Sequence, residues 1–174
     1  MKFPNNTVHC RINSPLGEMV LAATTLGLSG AWFEGQRHQA NSQRWPLAPL
    51  HPVLIQAATQ LAEYFAGQRR QFDLLLDLRG GTPFQQRVWR GLLAIAPGAT
   101  RSYTQVSVGI DQPTAVRAVA GAVGRNPLSI IVPCHRVIGS DGTLTGYAGG
   151  LPRKHALLQL EGVALPPNHQ AELS

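Results

Sequence analysis

The chain has 174 residues, 44% of them apolar, enough for one ordinary domain or two small ones with a real core. No apolar run reaches the about 18 residues a membrane-spanning helix needs, and the start MKFPNNTVHCRINSP lacks the apolar centre of a secretory signal. Two cysteines exclude a disulfide framework and fit a reducing cytoplasm, while a net charge of +6 at only 14% charged residues excludes a disordered basic arm.

The first half reads as an antiparallel meander. Strands are expected at residues 7–12, 18–24 and 28–33, with turns at residues 13–17 and at Leu26 and Gly27. A polar, proline-punctuated loop covers residues 35–49. Pro52 then opens a helix whose Leu54, Ala57, Ala58, Leu61 and Phe65 share one face, and Gly67 stops it. Residues 72–78 (FDLLLDL) return as a strand. No chemistry is visible in this half, and Cys10, inside a strand pattern, reads as a packed thiol.

Arg79, Gly80 and Gly81 mark the junction, which gives a first domain at residues 1–79, a linker at 80–83 and a second domain at 84–174. Thr82 and Pro83 signal the next helix. Its stripe is Phe84, Val88, Leu92 and Ile95, widened by Trp89 and Leu93. Two short helices follow, at residues 102–108 and 114–123, joined by a turn through Asp111, Gln112 and Pro113. This is a helix-turn-helix pattern. Its second helix, TAVRAVAGAV, carries small or apolar side chains apart from Arg117, so it has little with which to read base edges. A helix lined with Ala and Gly can instead approach a backbone or shallow groove closely. From Gly81 to Gly162 the acids are Asp111, Asp141 and Glu161, against Arg87, Arg90, Arg101, Arg117, Arg125, Arg136, Arg153 and Lys154. That imbalance is the footprint of a polyanion-binding half.

Residues 129–147, SIIVPCHRVIGSDGTLTGY, hold the chemistry. Ile130, Ile131 and Val132 read as a strand ending at Pro133, which places Cys134 at a strand end. The thiolate is the reactive form of cysteine, and His135 and Arg136 are positive neighbours that would lower the thiol pKa. Asn126 can brace the turn before it. Gly146 to Gly150 form a mobile glycine-rich loop around Tyr147 and Ala148, without the Gly-Lys-Ser/Thr ending of a phosphate loop. A last helix over residues 151–160 turns Ala156, Leu157 and Leu160 inward, and the tail from Val163 is expected to fray. On residue types alone, three classes stay open: covalent chemistry on DNA, a DNA-binding regulator built on the helix pair, and a turning-over cysteine hydrolase using Cys134, His135 and Glu161.

The order Pro133, Cys134, His135, Arg136, Val137, then Gly146, Tyr147, Ala148, Gly149, Gly150, then Glu161, resembles the O6-alkylguanine-DNA alkyltransferases. The likeness runs from about Gly81 to Gly162, with a weaker version in the first half. It implies an α+β protein: an N-terminal ribonuclease-H-like α/β domain and a helical C-terminal domain with a helix-turn-helix. It implies irreversible transfer of a methyl or alkyl group from O6-alkylguanine in duplex DNA to Cys134, with base flipping and one turnover per protein. His135 then acts as base through a water, Glu161 orients it, and Tyr103 helps protonate the departing guanine. Arg117 enters the base stack from a helix in the minor groove, with Thr114, Ala118 and Gly121 as DNA contacts. Asn126 braces the nucleophile turn, and Val137, Tyr147 and Ala148 line the guanine pocket. No cofactor, metal or membrane partner is implied. The partner is double-stranded DNA containing O6-alkylguanine and the protein is expected as a monomer; cooperativity on DNA and activity on O4-alkylthymine stay open. The chain departs from the family around Arg117, where Val116 precedes it and Ala120 replaces a usual glycine.

Overall fold

A computed structural model describes residues 1–165; the expected fraying of the tail falls largely beyond these. The chain divides into two compact units, Met1–Thr82 with Pro127–Ile131, and Pro83–Asn126 with the chain from Val132 onward. The second boundary lies inside the half read as one continuous domain. Residues 127–131 belong with the first unit because Ala31 N–H donates to Pro127 O at 2.8 Å and Ser129 N–H to Ala31 O at 2.9 Å.

The first unit is the expected meander. β1 (Val8–Ile12), β2 (Met19–Thr24) and β3 (Gly27–Phe33) pair antiparallel in sequence order. Every residue of β2 and β3 is buried. α1 (Pro52–Phe65) packs on β2 and β3 through Leu54, Ala57, Leu61 and Tyr64. Val20, Ala22 and Trp32 form a second cluster, closed by Phe3, Ala40 and Trp45. Residues 72–78 do not form the expected strand. They make only a bridge of Leu76 to Leu28. The reason is local: the buried Gln60 side chain donates to Asp73 O at 2.9 Å and accepts from Asp73 N at 2.8 Å. Those backbone groups are satisfied from α1, so no ladder is needed there.

The second unit is helical. α2 (Pro83–Leu92), α3 (Tyr103–Gly109) and α4 (Val116–Gly124) pack on one another. Trp89 Nε1 donates to Ala122 O at 2.8 Å, locking α2 against α4. Val88, Trp89, Leu92 and Ile95 are buried as expected, whereas Leu93 is exposed. Ser102 caps α3 in a capping box with Gln105, worth about 1 kcal/mol. α4 starts two residues later than expected. A short parallel pair, β4 (Arg101–Ser102) with β5 (Val137–Ile138), lies beside α3, and α5 (Leu151–Leu160) closes the unit. The inward row of α5 is Lys154, Leu157 and Leu158 rather than Ala156, Leu157 and Leu160, and Leu160 is exposed. The apolar pattern misplaces this face because its first member is a lysine.

Candidate active site

Residues 130–132 are a run of turns, which corrects the strand expected before the nucleophile. Ile130 takes φ 74°, a left-handed conformation costly for a β-branched residue. Pro133, with φ −81° and ψ 62°, is the centre of an inverse γ-turn, and Cys134 N–H returns to Val132 O at 2.8 Å. Cys134–Arg136 is then a single 3-10 turn. Proline suits this place because the γ-turn asks no N–H of its central residue and its φ is already near the required value.

Asn126, directly after α4, spans the turn. Its Nδ2 donates to Val132 O at 2.8 Å and to Cys134 Sγ at 3.0 Å. A donor on sulfur favours the thiolate. Burial works against it: Cys134 is 5% exposed, and desolvation pushes its thiol above the ordinary value despite the Asn126 hydrogen bond and the nearby charge of Lys154. The resting group is therefore a protonated thiol, and attack requires a base.

His135 supplies one. It is fully buried, and its Nε2 lies 2.9 Å from Glu161 Oε1. An ionised carboxylate only accepts, so Nε2 carries the hydrogen and Nδ1 keeps its lone pair. Nδ1 has no hydrogen-bond partner among the described residues. Burial holds the His135 pKa below the ordinary imidazole value, although Glu161 pulls the other way, so the ring is neutral at pH 7. Glu161 also accepts from Arg136 Nε and Nη2, both at 2.8 Å, and these partners hold its carboxyl well below the usual range in spite of burial.

Arg136 is thus turned away from the sulfur. It forks onto Glu161, and Nη1 donates to Ile95 O. The expectation that it activates the cysteine is corrected: its fork matches a carboxylate and spends its charge there. The positive group that acts on Cys134 is Lys154, which the sequence reading counted only as surface charge. Its spacing held the signal, since Lys154, Leu157, Leu158 and Glu161 fall on one helical face and Glu161 already pointed inward.

The remaining candidates fall into two groups. Tyr103, half-buried at the start of α3, donates its hydroxyl to Thr145 O at 3.3 Å, and burial raises its pKa. Val137 is fully buried in β5; Tyr147 and Ala148 are half-buried in the following loop. That loop is tethered, with Lys154 Nζ on Thr145 O at 2.7 Å and Arg153 on Gly149 O at 3.0 Å. Thr114, Arg117 and Ala118 are exposed and Gly121 half-buried, while Val119, Ala122 and Val123 turn inward. α4 therefore presents a nearly smooth outer face carrying one arginine.

Known proteins match over nearly the whole chain. Residues 83–163 match the model for the 6-O-methylguanine DNA methyltransferase DNA-binding domain, and residues 8–78 the model for its ribonuclease-like domain. The methylated-DNA–protein-cysteine methyltransferase of Mycobacterium tuberculosis is 48% identical over 160 residues, covering 91% of this chain and 95% of the relative. That of Methanosarcina barkeri is 46% identical over 151 residues, covering 86% and 94%. The crystal structure of Mycobacterium tuberculosis OGT in complex with DNA superimposes with a TM-score of 0.83 at 47% identity, over 88% of this chain and 92% of that one. With both domain models matched and the nucleophile turn in place, the chain belongs to the 6-O-methylguanine DNA methyltransferase family.

Proposed function

We infer that this protein repairs DNA by moving the methyl group of O6-methylguanine onto the sulfur of its own Cys134. It is a methylated-DNA–protein-cysteine methyltransferase. The observation that carries the residue assignment is the oriented pair beside the cysteine: His135 Nε2 on Glu161 and Nδ1 without a hydrogen-bond partner among the described residues.

The chemistry follows from that pair. His135 Nδ1 takes the thiol proton, through a water in our reading, and the Cys134 sulfur attacks the methyl carbon in line. The S–C bond forms as the C–O6 bond breaks, and the electron pair passes to the guanine. In this reading Tyr103, whose hydroxyl donates to Thr145 O, returns a proton to that base. Guanine thus gains one proton as sulfur loses one, and the proton held by His135 passes through solvent to restore the Tyr103 phenol. A thioether is a poor leaving group, so no thiol is regenerated and each molecule acts once.

Access to O6 inside a duplex requires the nucleotide to be flipped out. The α4 face of Thr114, Arg117, Ala118 and Gly121 supports a minor-groove approach, with Arg117 filling the vacated stack. Val137, Tyr147 and Ala148 wall the guanine pocket in this reading. The protein acts as a monomer on double-stranded DNA in the cytoplasm. No helix among the described residues is long and apolar enough to cross a membrane.

Intact-protein mass after incubation with a duplex carrying one O6-methylguanine tests the assignment. One added methyl on Cys134, and never more than one per molecule, is expected. Repaired DNA with unchanged protein mass would indicate a turning-over enzyme. Bound but unrepaired DNA would indicate a sensor.

A further inference from the structure

Lys154 is fully buried, yet among the described residues no carboxylate forms an ion pair with it. Its three partners are all carbonyl oxygens: Val137 O at 2.5 Å, Thr145 O at 2.7 Å and Gly146 O at 3.4 Å. Arg136, the other buried cation of the site, has its charge matched by Glu161. An unmatched ammonium in a dry interior is costly. Leucine or methionine would fill the same place on α5 without that cost.

The surroundings give the charge a use. α5 packs against the Cys134–Arg136 turn. The titratable groups facing Lys154 are Cys134 and His135 from that turn and Tyr103 from α3, which shares Thr145 O with it. His135 is neutral, and the nearest acid, Glu161, is committed to His135 and Arg136. The anion within electrostatic reach is therefore the Cys134 thiolate, present only as the thiol gives up its proton. Val137 follows the nucleophile turn directly, and Thr145 and Gly146 open the loop opposite, so Nζ also ties the two walls together.

We propose that Lys154 is a positioning residue for the transfer reaction: its ammonium is the counter-charge that steadies the Cys134 thiolate during attack, while its three carbonyl bonds fix the spacing of the pocket walls. This rests on Cys134 being the methyl acceptor. Burial lowers the Lys154 pKa to about 8 and the cysteine raises it, the reciprocal of the effect of Lys154 on the thiol. Once the sulfur is methylated, no such anion can form.

Two measurements test this. The first follows alkylation of Cys134 by iodoacetamide against pH, mapped by peptide mass, in the unsubstituted protein, K154Q and K154R. The glutamine keeps donors for the carbonyls but not the charge. Its thiol midpoint is expected about one pH unit or more higher, with K154R returning toward the original. Methyl uptake from O6-methylguanine duplex is expected to slow at least tenfold in K154Q with DNA affinity unchanged. An unmoved midpoint, even with slower uptake, overturns the charge role. The second needs no variant, should K154Q not fold. Methyl uptake by the unsubstituted protein at saturating duplex is expected to fall as pH rises through about 8, where the Lys154 ammonium gives up its proton, and uptake that holds level or rises through that range overturns the proposal. If the unsubstituted protein takes up no methyl from DNA at all, the functional reading fails. Methyl uptake with an unmoved K154Q midpoint refutes the lysine role alone.

Discussion

Glu161 holds two neighbours of the nucleophile at once. One carboxylate accepts from His135 Nε2, Arg136 Nε and Arg136 Nη2, and all three residues are buried. Glu161→Gln would leave Arg136 buried without its counter-ion, at a cost of roughly 3–5 kcal/mol. A lowered melting temperature and a loss of methyl uptake are expected together, with DNA binding retained if it runs through the proposed α4 face. The pH behaviour follows from His135. Unfolded, it binds a proton near pH 6.5; folded and buried, it does so only at lower pH. Between these values the unfolded chain holds more protons, so stability falls as pH drops below about 6.5. Glu161 adds to this further down, its contribution being lost as pH falls from the ordinary carboxylate range toward its depressed value. Melting curves between pH 7.5 and 5.5 should show this slope, and His135→Gln should flatten it. By the same shift, methyl uptake by folded protein should persist below pH 6.5, since the base is still neutral there. The motif made Cys134, His135 and Glu161 legible. Lys154 was not, because a buried charge sustained by backbone carbonyls has no pattern of its own.

Asn126 shows how an element delivers a residue. It follows the end of α4, and its amide ties the nucleophile turn at two points. Asn126→Ala removes one of the two donors on Val132 O and the donor on Cys134 Sγ, at a cost of about 0.5–1.5 kcal/mol. Slower uptake and a melting temperature lower by several degrees are the expected readouts. α4 itself is expected to separate two substrates. Arg117→Ala should slow repair in duplex DNA more than transfer from free O6-methylguanine base, since only the duplex has a stack to fill; equal losses would remove that role. Elements with a clear period were readable: the three strands alternate or bury wholly, and α1 and α2 carry plain stripes. Two expected strands were wrong for different reasons. At residues 72–78 a helix glutamine takes the backbone bonds a neighbouring strand would have taken. At residues 130–132 the apolar side chains are buried as a strand's would be, but Ile130 turns the chain into the left-handed region. Composition cannot distinguish a buried strand from a buried turn.

The sequence changes pattern near Gly80, and the chain divides into compact units at Thr82 and Pro83. The return of Pro127–Ile131 to the first unit was not visible in the sequence, because it depends on pairing with β3, far away in sequence. A fragment beginning at Pro83 would carry this segment with its β3 partners missing. It is expected to melt well below the full chain and to take up methyl poorly. Adding residues 1–82 in trans should restore part of the activity if the segment can find its edge. The same pairing bears on how the protein is made. The meander leaves the ribosome about a hundred residues before the cysteine turn, and domains tend to fold as units during synthesis. The edge of β3 is then already in place when Pro127 emerges, so this segment can find its partner at once, whereas the cysteine turn stays open until α5, which packs on it, has left the ribosome.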